Sequence, residues 1–269
     1  MMKKLLATMV LSAAAAMFAA DGDIVGTITD AQGPHKGVVR YSLKSKTYFV
    51  TAKQNGAVLE SEIMPADVVS MDITEPAGWA QAVAKVERGQ ATSAISYFAG
   101  IVKAYNHLQW DLRAARYLAD AYLASGNADK ALESCMAVVK ADPDTAFKGE
   151  LAPIFWKVLI KLGKRDQLEK LLVKAAASED RYASGAALIG RGDLILASGE
   201  SAESVRAALV DGYLRVALMY TDGKIAEQLR PEALAKSAQC FEKIGQAGRA
   251  DQMRGELKRL YPNSSWAKQ

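Results

Sequence analysis

The sequence predicts an α+β multidomain protein, in which a small five-stranded β-barrel is followed by an all-α solenoid of helical hairpins. Three observations predict this fold class. Apolar residues alternate with a period of two between residues 23 and 73, the period changes to about 3.6 after residue 76, and glycines then recur at regular intervals. The chain has 269 residues, half of them hydrophobic, which permits two separate cores. We expect a signal peptide over residues 1–20, the β domain over 21–74 and the solenoid over 75–269.

The first twenty residues have the pattern of a secretory signal. Lys3 and Lys4 precede an uncharged run over residues 5–20, which is shorter than the roughly 20 residues of a membrane span. Cleavage could follow Ala16 or Ala20, and an uncleaved anchor is the alternative. No cysteine lies near this junction, so we expect no lipid attachment. The sequence therefore predicts an exported protein that is periplasmic or associated with the cell envelope, with no transmembrane span in the mature chain.

The charge balance argues against a nucleic-acid binder. The formal net charge is +4, and removing the two leader lysines leaves 32 basic and 30 acidic side chains that are interleaved along most of the chain. A nucleic-acid-binding surface usually shows a basic stripe. Residues 249–268 form the most basic stretch, but the charges there follow helical spacing, which favours a solvated helix face.

Five short strands are predicted for the β domain, over residues 24–29, 37–42, 47–52, 58–63 and 68–73. Asn55 and Gly56 supply the positive φ angles of a tight hairpin, and Gly33 with Pro34 is expected to break the chain earlier. About fifty residues are too few for a two-sheet sandwich, so a closed or partly closed barrel is the economical arrangement. The strand number, the strand lengths and the turn Pro65–Asp67 resemble SH3-like or Sm-like barrels, which specifies no ligand.

Three aromatic residues of the β domain allow two interpretations. Tyr41, Tyr48 and Phe49 could line a peptide groove like that of SH3 domains. Aromatic residues of small barrels are more often core or cross-strand partners, and we expect the second role.

One hairpin of the helical region is complete in the sequence. Its positions are Ala115, Leu118, Ala119 and Tyr122, then Gly126, Ala131, Val138 and Pro143. This spacing resembles the tetratricopeptide repeat family, in which small and large apolar residues let two antiparallel helices pack closely and proline ends the second. Gly245, Ala250 and Pro262 repeat the spacing, with Phe241 in the position of Tyr122.

Five glycines divide the helical region into about five hairpins. They are residues 89, 126, 163, 199 and 245, at intervals of 37, 37, 36 and 46. Each is expected to leave the first helix of its hairpin in a left-handed conformation, and the alanine five residues later lies where the two helices cross. Leu168 and Ser204 replace that alanine in two repeats. A long helix over residues 202–220 precedes a polar turn over 221–224, so we expect this hairpin to be irregular.

The end of the chain closes the last repeat. Residues 257–267 are similar to the close of repeats in periplasmic proteins that coordinate outer-membrane assembly and envelope constriction, a resemblance limited to one repeat. Pro262 ends the last helix, and Trp266 can fold back over an exposed apolar end.

The resemblance to tetratricopeptide repeats also implies where a partner binds. Partners of this family usually dock in the concave groove that the first helix of each hairpin lines. Two arginines one turn apart there could bind a carboxylate of a partner peptide, or could pair with Asp111 and Asp120 and be merely solvated. The predicted groove residues are Arg113, Arg116, Asp120 and Leu123 in one repeat, and Lys157 and Ile160 in the next.

No motif for catalysis or metal binding is present in the sequence. His35 is predicted in a loop and His107 at a helix end, and neither has ligands at metal spacing nearby. The tripeptide 191–193 has the sequence of a cell-adhesion motif, but we expect it to be helical and half-buried. We predict neither an enzyme nor a cofactor.

The two cysteines of the mature chain, Cys135 and Cys240, fall in predicted helices about a hundred residues apart. An exported protein could join them as a disulfide. Because repeats contact mainly their neighbours, we expect two buried free thiols instead.

The function predicted from these features is a non-enzymatic periplasmic or cell-envelope scaffold that binds a protein or peptide through its concave surface. Two alternatives stay open, namely a structural part of a homo-oligomeric envelope assembly and a small-ligand site where the two domains meet.

Overall fold

The computed structural model describes residues 22–54 and 56–268, which form two compact units. The first unit contains the chain up to Pro76 together with Tyr105–Trp110, and the second contains Ala77–Ala104 and the chain from Asp111 onward. The predicted signal peptide and Asn55 lie outside the described residues.

The first unit is built on a five-stranded antiparallel sheet. Its strands are β1 (Val25–Asp30), β2 (Gly33–Ser42), β3 (Thr47–Gln54), β4 (Ala57–Ile63) and β5 (Ser70–Ile73), in the order β4-β3-β2-β1-β5. Period-two alternation turns one face of each strand inward, so each strand contributes a buried apolar side chain. These side chains are Ile28, Val39, Val50, Ile63 and Ile73. The predicted five strands are confirmed, and Pro65–Asp67 forms a short 3-10 turn before β5.

Strand β2 begins four residues earlier than predicted. The chain turns at residues 31 and 32, where the Asp30 carboxylate accepts hydrogen bonds from the backbone N–H groups of Gln32 and Gly33. Pro34 lies opposite Thr29, before the pairing of β2 with β3 begins, so its missing N–H removes no hydrogen bond to β3. The predicted break at Gly33 and Pro34 was therefore wrong, and His35 lies in a strand rather than in a loop.

The aromatic residues of the sheet are cross-strand partners, as predicted. Tyr41 and Tyr48 face each other across β2 and β3 with ring centroids 4.9 Å apart. The Tyr48 hydroxyl donates to the carbonyl of His107 at 3.1 Å, and the His107 ring lies 4.2 Å from that of Tyr41. The guanidinium of Arg40 covers the ring of Phe49 at 3.9 Å.

The segment Tyr105–Trp110 therefore packs with the sheet although it lies between two helices in the sequence. The indole N–H of Trp110 donates to the carbonyl of Ile73 at 2.9 Å, and the side-chain amide of Gln109 donates to the carbonyl of Met71 at 2.7 Å. Two backbone carbonyls of β5 thus accept hydrogen bonds from side chains of this segment.

The second unit consists of helices in five antiparallel hairpins. The first helices of the hairpins are α1 (Trp79–Glu87), α3 (Trp110–Ala124), α5 (Leu151–Lys161), α7 (Arg181–Leu196) and α10 (Gly223–Lys243). The second helices are α2 (Ile95–Ala104), α4 (Ala128–Ala141), α6 (Arg165–Ala176), the pair α8 (Ala202–Ala208) and α9 (Leu214–Met219), and α11 (Ala247–Leu260). The predicted helical-hairpin array is confirmed.

Glycine ends the first helix in the same way in four hairpins. Gly126 has φ 77°, its N–H donates to the carbonyl of Leu123, and the next N–H, of Asn127, donates to the carbonyl of Tyr122. A residue with a Cβ would be strained at this φ, whereas glycine closes the helix with two additional hydrogen bonds. The same pair of bonds follows α1, α5 and α10. Gly199 also has positive φ, but at 153°, so the fourth hairpin turns differently.

Small residues set the separation of the helices. Ala94, Ala131 and Ala250 are completely buried at the predicted crossing positions, and Leu168 is completely buried in the divergent third repeat. Leu168 belongs to helix α6, which packs against α7, and Leu172 of the same helix lies close to Gly190 of α7.

The fourth hairpin is irregular, as predicted. Its second arm runs from Ala202 to Met219, but residues Leu209–Tyr213 form a π-helical turn between α8 and α9. Gly212 in this turn approaches helix α7 so closely that an added Cβ would lie 2.8 Å from the backbone oxygen of Leu188. The π-turn therefore accompanies a backbone contact that only glycine permits.

Within the part of the chain that the structure describes, no helix has both the length and the apolar character needed to cross a membrane.

Candidate functional site

The first helices of successive hairpins converge on a cavity of the second unit. Helices α3, α5, α7 and α10 provide most of its lining, and its volume is about 330 Å³. Helix α7 packs against both α5 and α10, so these three helices lie side by side at the cavity. The glycines of α7 let its neighbours approach: a Cβ on Gly190 would lie 3.0 Å from the ring of Trp156.

Four of the six predicted groove residues line this cavity. Arg116 and Asp120 project from α3, and Lys157 and Ile160 project from α5. Spacings of three or four residues place each pair on one face of its helix. The other two predicted residues lie elsewhere: Arg113 is exposed and does not line the cavity, and Leu123 packs against the apolar core.

Carboxylates outnumber cations among the described residues that line the cavity. Two cationic side chains, Arg116 and Lys157, face five carboxylates. The carboxylates belong to Glu87, Asp120, Glu150, Asp193 and Glu232. Arg116 pairs with Glu150 at 3.5 Å and not, as one interpretation of the sequence had it, with Asp120.

Lys236 is the centre of an ion-pair network on this concave side. Its Nζ lies 2.6 and 2.8 Å from the two carboxylate oxygens of Asp193, and 2.7 Å from Oε1 of Glu232. The same oxygen of Glu232 lies 3.4 Å from Nζ of Lys157. Because these side chains come from α5, α7 and α10, the network joins three successive hairpins.

A buried tyrosine completes the network. The hydroxyl of Tyr213, which is 1% exposed, donates a 2.6 Å hydrogen bond to Oδ1 of Asp193. Burial and the neighbouring Asp193 carboxylate raise the pKa of Tyr213 far above its ordinary value, so the hydroxyl stays protonated and remains a donor.

Opposite charges fix the protonation states of the network. Burial disfavours the charged forms, but Lys236 and Lys157 outweigh this effect and lower the pKa of Glu232. Burial likewise opposes the charge of Lys236, but Glu232 and Asp193 outweigh it and raise the pKa of this lysine. Glu232 and Lys236 therefore hold their charges at neutral pH, which suits a structural or binding role better than proton transfer.

Asp120 differs from the other carboxylates of the cavity. Within the described residues, its carboxylate has no direct hydrogen bond or ion pair. Burial raises the pKa of Asp120, an effect that Glu232 increases and that Lys157 and Arg116 reduce. A half-buried carboxylate that faces a cavity without a direct partner can accept a hydrogen bond from an entering cationic or amide group.

A second cavity, of about 400 Å³, adjoins the first. It is lined by Lys157, Ile160, Asp193, Leu196, Tyr213, Lys236 and Trp266. Trp266 follows the end of α11 and packs against the core, as predicted. Its ring lies 6.0 Å from Nζ of Lys236. This subsite combines apolar and aromatic surface with a cation.

Asp193, Glu232 and Lys236 were not predicted as site residues from the sequence. The spacing of Glu232 and Lys236 by four residues is a signal that could have been used, since such pairs meet on one helix face. Asp193 belongs to the adhesion-like tripeptide, which is helical as predicted. Gly192 is buried and the Asp193 side chain is bound to Lys236, so the tripeptide is part of the structural core of the repeat.

Metal binding has no support from the described part of the chain, which contains no group of three or more histidine, cysteine or carboxylate side chains arranged to hold an ion.

Residues 85–151, which extend from the end of α1 to the start of α5, match the tetratricopeptide repeat family. Comparison with curated proteins gives no significant match. Among solved structures, the chain is similar to a crystal structure of kinesin light chain nearly identical TPR-like repeats from Podospora anserina. The similarity has 18% sequence identity and a TM-score of 0.40, and it covers 67% of this chain and 91% of that one. Within the helical unit, residues 85–151 match the tetratricopeptide repeat, and repeats of this family generally mediate protein–protein interactions.

Proposed function

We propose that the chain is a non-enzymatic scaffold of the cell envelope that binds a segment of a partner protein in its concave cavity. One observation carries the proposal: the first helices of successive hairpins direct Arg116, Asp120, Lys157, Asp193 and Glu232 into the same cavity. A solenoid of hairpins offers such a surface because each repeat contributes an equivalent helix face.

The polar groups of the cavity suit binding better than catalysis. Asp193 and Glu232 both form ion pairs with Lys236, an arrangement that suits a structural or binding role. Neither histidine nor cysteine is among the described residues that line the cavity. The unpaired Asp120 instead provides an acceptor for a donor group of the partner.

The charge of the cavity indicates the chemistry of the partner segment. Five carboxylates and two cations leave the lining acidic, so a lysine or arginine side chain is favoured over a carboxylate. We infer that a cationic side chain of the partner binds Asp120. This replaces the expectation of a carboxylate held by Arg113 and Arg116, since Arg113 does not line the cavity and Arg116 already pairs with Glu150.

Affinity capture with matched variants tests this function. The full-length chain is purified with an affinity tag and mixed with a solubilised envelope extract of its own organism, beside Asp120→Asn and Asp129→Asn variants. Asp129 is exposed on α4 and outside the cavity, so its variant controls for the loss of one negative charge. Loss of a charge-assisted hydrogen bond corresponds to about a tenfold or larger loss of affinity.

The proposal requires a partner that wild type and Asp129→Asn retain and that Asp120→Asn releases. A partner retained equally by all three proteins would mean that binding uses another surface. If the tagged protein captures only other copies of itself, the homo-oligomeric alternative is favoured. Sedimentation of the purified protein measures this self-association directly.

The β unit is proposed to be a small SH3-like barrel that adds a second contact. The strand order β4-β3-β2-β1-β5 and the 3-10 turn before β5 support this assignment. Envelope location is likewise a proposal that rests on the leader pattern of residues 1–20. Cell fractionation with N-terminal sequencing tests it, and a mature chain beginning after Ala16 or Ala20 is expected.

A further inference from the structure

The C-terminal tail, residues 261–268, lies along the concave side of the helical unit. It follows the end of α11 and contains a short 3-10 turn, Ser265–Lys268. Trp266 lines the 330 Å³ cavity, the adjoining 400 Å³ cavity and a third, open cavity of about 970 Å³. The side chain of Trp266 thus borders all three cavities.

Trp266 forms one wall of the aromatic subsite beside the ion-pair network. Its half-buried ring packs against the core of the repeats, and Nζ of Lys236 lies 6.0 Å from its centroid. Lys236 also lies 5.5 Å from the ring of Tyr213, so one ammonium interacts with two aromatic faces. Cation–π attraction and apolar contact together hold the tail in place.

The charge of the tail complements the charge of the concave side. Lys268 lines the third cavity with Glu87 and Glu227, beside Arg88. Lys268, two positions after Trp266, therefore lies in a cavity whose other charged lining residues are two carboxylates and one arginine. This is the chemistry that the acidic cavity favours in a partner segment.

Among the described tail residues, 261–268, the hydrogen bonds are local. The N–H of Ser264 donates to the carbonyl of Tyr261 at 3.0 Å, that of Ala267 donates to the carbonyl of Ser264 at 3.1 Å, and that of Trp266 donates to Oγ of Ser264 at 3.2 Å. These bonds travel with the tail if it moves. Detaching it costs chiefly the contacts of Trp266 and Tyr261 with the repeats, so the tail can leave without disrupting the hairpins.

We propose that the tail is an intrinsic occupant of the partner-binding site, and that a partner segment with an aromatic and a basic residue displaces it. In this proposal the aromatic residue of the partner takes the place of Trp266 against the repeats, and the two compete. This inference rests on the proposed function in naming the concave cavity as the binding site. Beyond the proposed function, it specifies the chemistry of the partner segment and identifies the tail as an autoinhibitory contact that regulates access to the cavity.

A peptide supplied in trans tests the competition. The probe is a fluorescein-labelled synthetic peptide of residues 260–269, titrated by anisotropy against the full-length wild-type chain and against full-length Trp266→Ala. When an occupied site is freed, apparent affinity rises by the inverse of the open fraction. We expect the peptide to bind Trp266→Ala about tenfold more tightly than wild type, for a site that is open roughly a tenth of the time.

Two controls make the result specific. Full-length Trp266→Phe keeps an aromatic ring in the subsite and should bind the peptide as weakly as wild type. A peptide in which alanine replaces the tryptophan should bind neither protein. Circular dichroism and thermal unfolding establish that the two variants keep the fold, which is expected because residue 266 follows the last hairpin.

Equal affinity of the peptide for wild type and Trp266→Ala, or binding to neither, would overturn the inference. The result is separable from the capture experiment because no partner is present. If the peptide binds as expected but no partner depends on Asp120, the tail is still an occupant of the cavity and the proposed function is overturned. If a partner depends on Asp120 but the peptide does not bind, the proposed function is supported and the inference about the tail is overturned.

Discussion

The hydroxyl of Tyr213 donates a 2.6 Å hydrogen bond to Oδ1 of Asp193, an oxygen that also lies 2.6 Å from Nζ of Lys236. Tyr213 and Asp193 belong to the two arms of the fourth hairpin, and Lys236 belongs to the fifth. The interaction thus connects the interior of one repeat to its neighbour. In a solenoid, whose stability depends on contacts between adjacent repeats, such a link affects both folding and the shape of the concave surface.

Replacing Tyr213 by phenylalanine is expected to lower the free energy of unfolding by about 1.5 kcal/mol, the usual contribution of a buried hydrogen bond to a charged acceptor. The aromatic ring and its packing are retained, so the decrease in the free energy of unfolding measures the contribution of the hydroxyl. Urea unfolding measures it, with Tyr122→Phe as the control, because the Tyr122 hydroxyl makes no hydrogen bond within the described residues. Equal stability of the two variants would show that the Tyr213 hydroxyl contributes nothing.

The pH dependence of stability should depend on Glu232. Its pKa is lower in the folded protein than the ordinary 4.5, because Lys236 and Lys157 overcome the effect of burial. A carboxyl of this kind stabilises the fold above its ordinary pKa, and that contribution disappears as the pH falls through the folded value. We expect Glu232→Gln to cost about 1–3 kcal/mol at pH 7 and progressively less toward pH 3.

Urea unfolding at several pH values measures this difference. Asp120 acts in the opposite direction, and Glu232 helps to raise its pKa, so both proteins also carry Asp120→Asn to remove this contribution from the comparison. Glu227→Gln, at an exposed position of α10, should leave the pH profile unchanged. A constant difference between wild type and Glu232→Gln at all pH values would contradict the prediction.

Close packing of α7 is tested by Gly192→Ala. An added Cβ would lie 2.6 Å from Cε1 of Tyr213, a distance that real structures do not tolerate. We expect a loss of about 1–3 kcal/mol through overpacking. Gly255→Ala in α11 is the matched control, since its Cβ would meet open space and alanine should stabilise the helix by about 0.5–1 kcal/mol. Stabilisation by both substitutions would be incompatible with the close contact between Gly192 and Tyr213.

The two cysteines should be unreactive in the folded protein. Cys135 and Cys240 are buried free thiols, and burial raises their pKa values to about 12 and about 11. Thiol reagents attack the thiolate, so reaction with Ellman's reagent at pH 8 should be negligible before unfolding. Two thiols per chain should react in guanidinium chloride. A single reactive thiol, or none after unfolding without reductant, would contradict the structure.

Local patterns in the sequence predict much of this fold because the signals for each element are short-range. Period-two alternation identifies the five strands, and glycine followed by alanine five residues later identifies the turns and crossings of the hairpins. Strand β2 was predicted too short because Pro34 is a strand breaker in general. It is tolerated here since β3 does not pair with that end of β2.

The candidate site was predicted only where one helix determines it. Arg116 and Asp120 share a helix face, and so do Lys157 and Ile160, and all four line the cavity. Asp193, Glu232 and Lys236 were missed because their pairing depends on how the hairpins stack. That geometry results from close contacts such as those of Gly190 and Gly192, which no helix pattern reveals by itself.

Site-specific photo-crosslinking in the native envelope measures whether a partner protein occupies the concave cavity. p-Benzoylphenylalanine is placed at position 160, inside the cavity, and in a matched strain at position 173, which is exposed on α6 and outside the cavity. We predict a discrete adduct with another protein from position 160 that is absent from position 173 and is lost with Asp120→Asn. Adducts from position 173 alone, or adducts from position 160 that are unaffected by Asp120→Asn, would contradict the account.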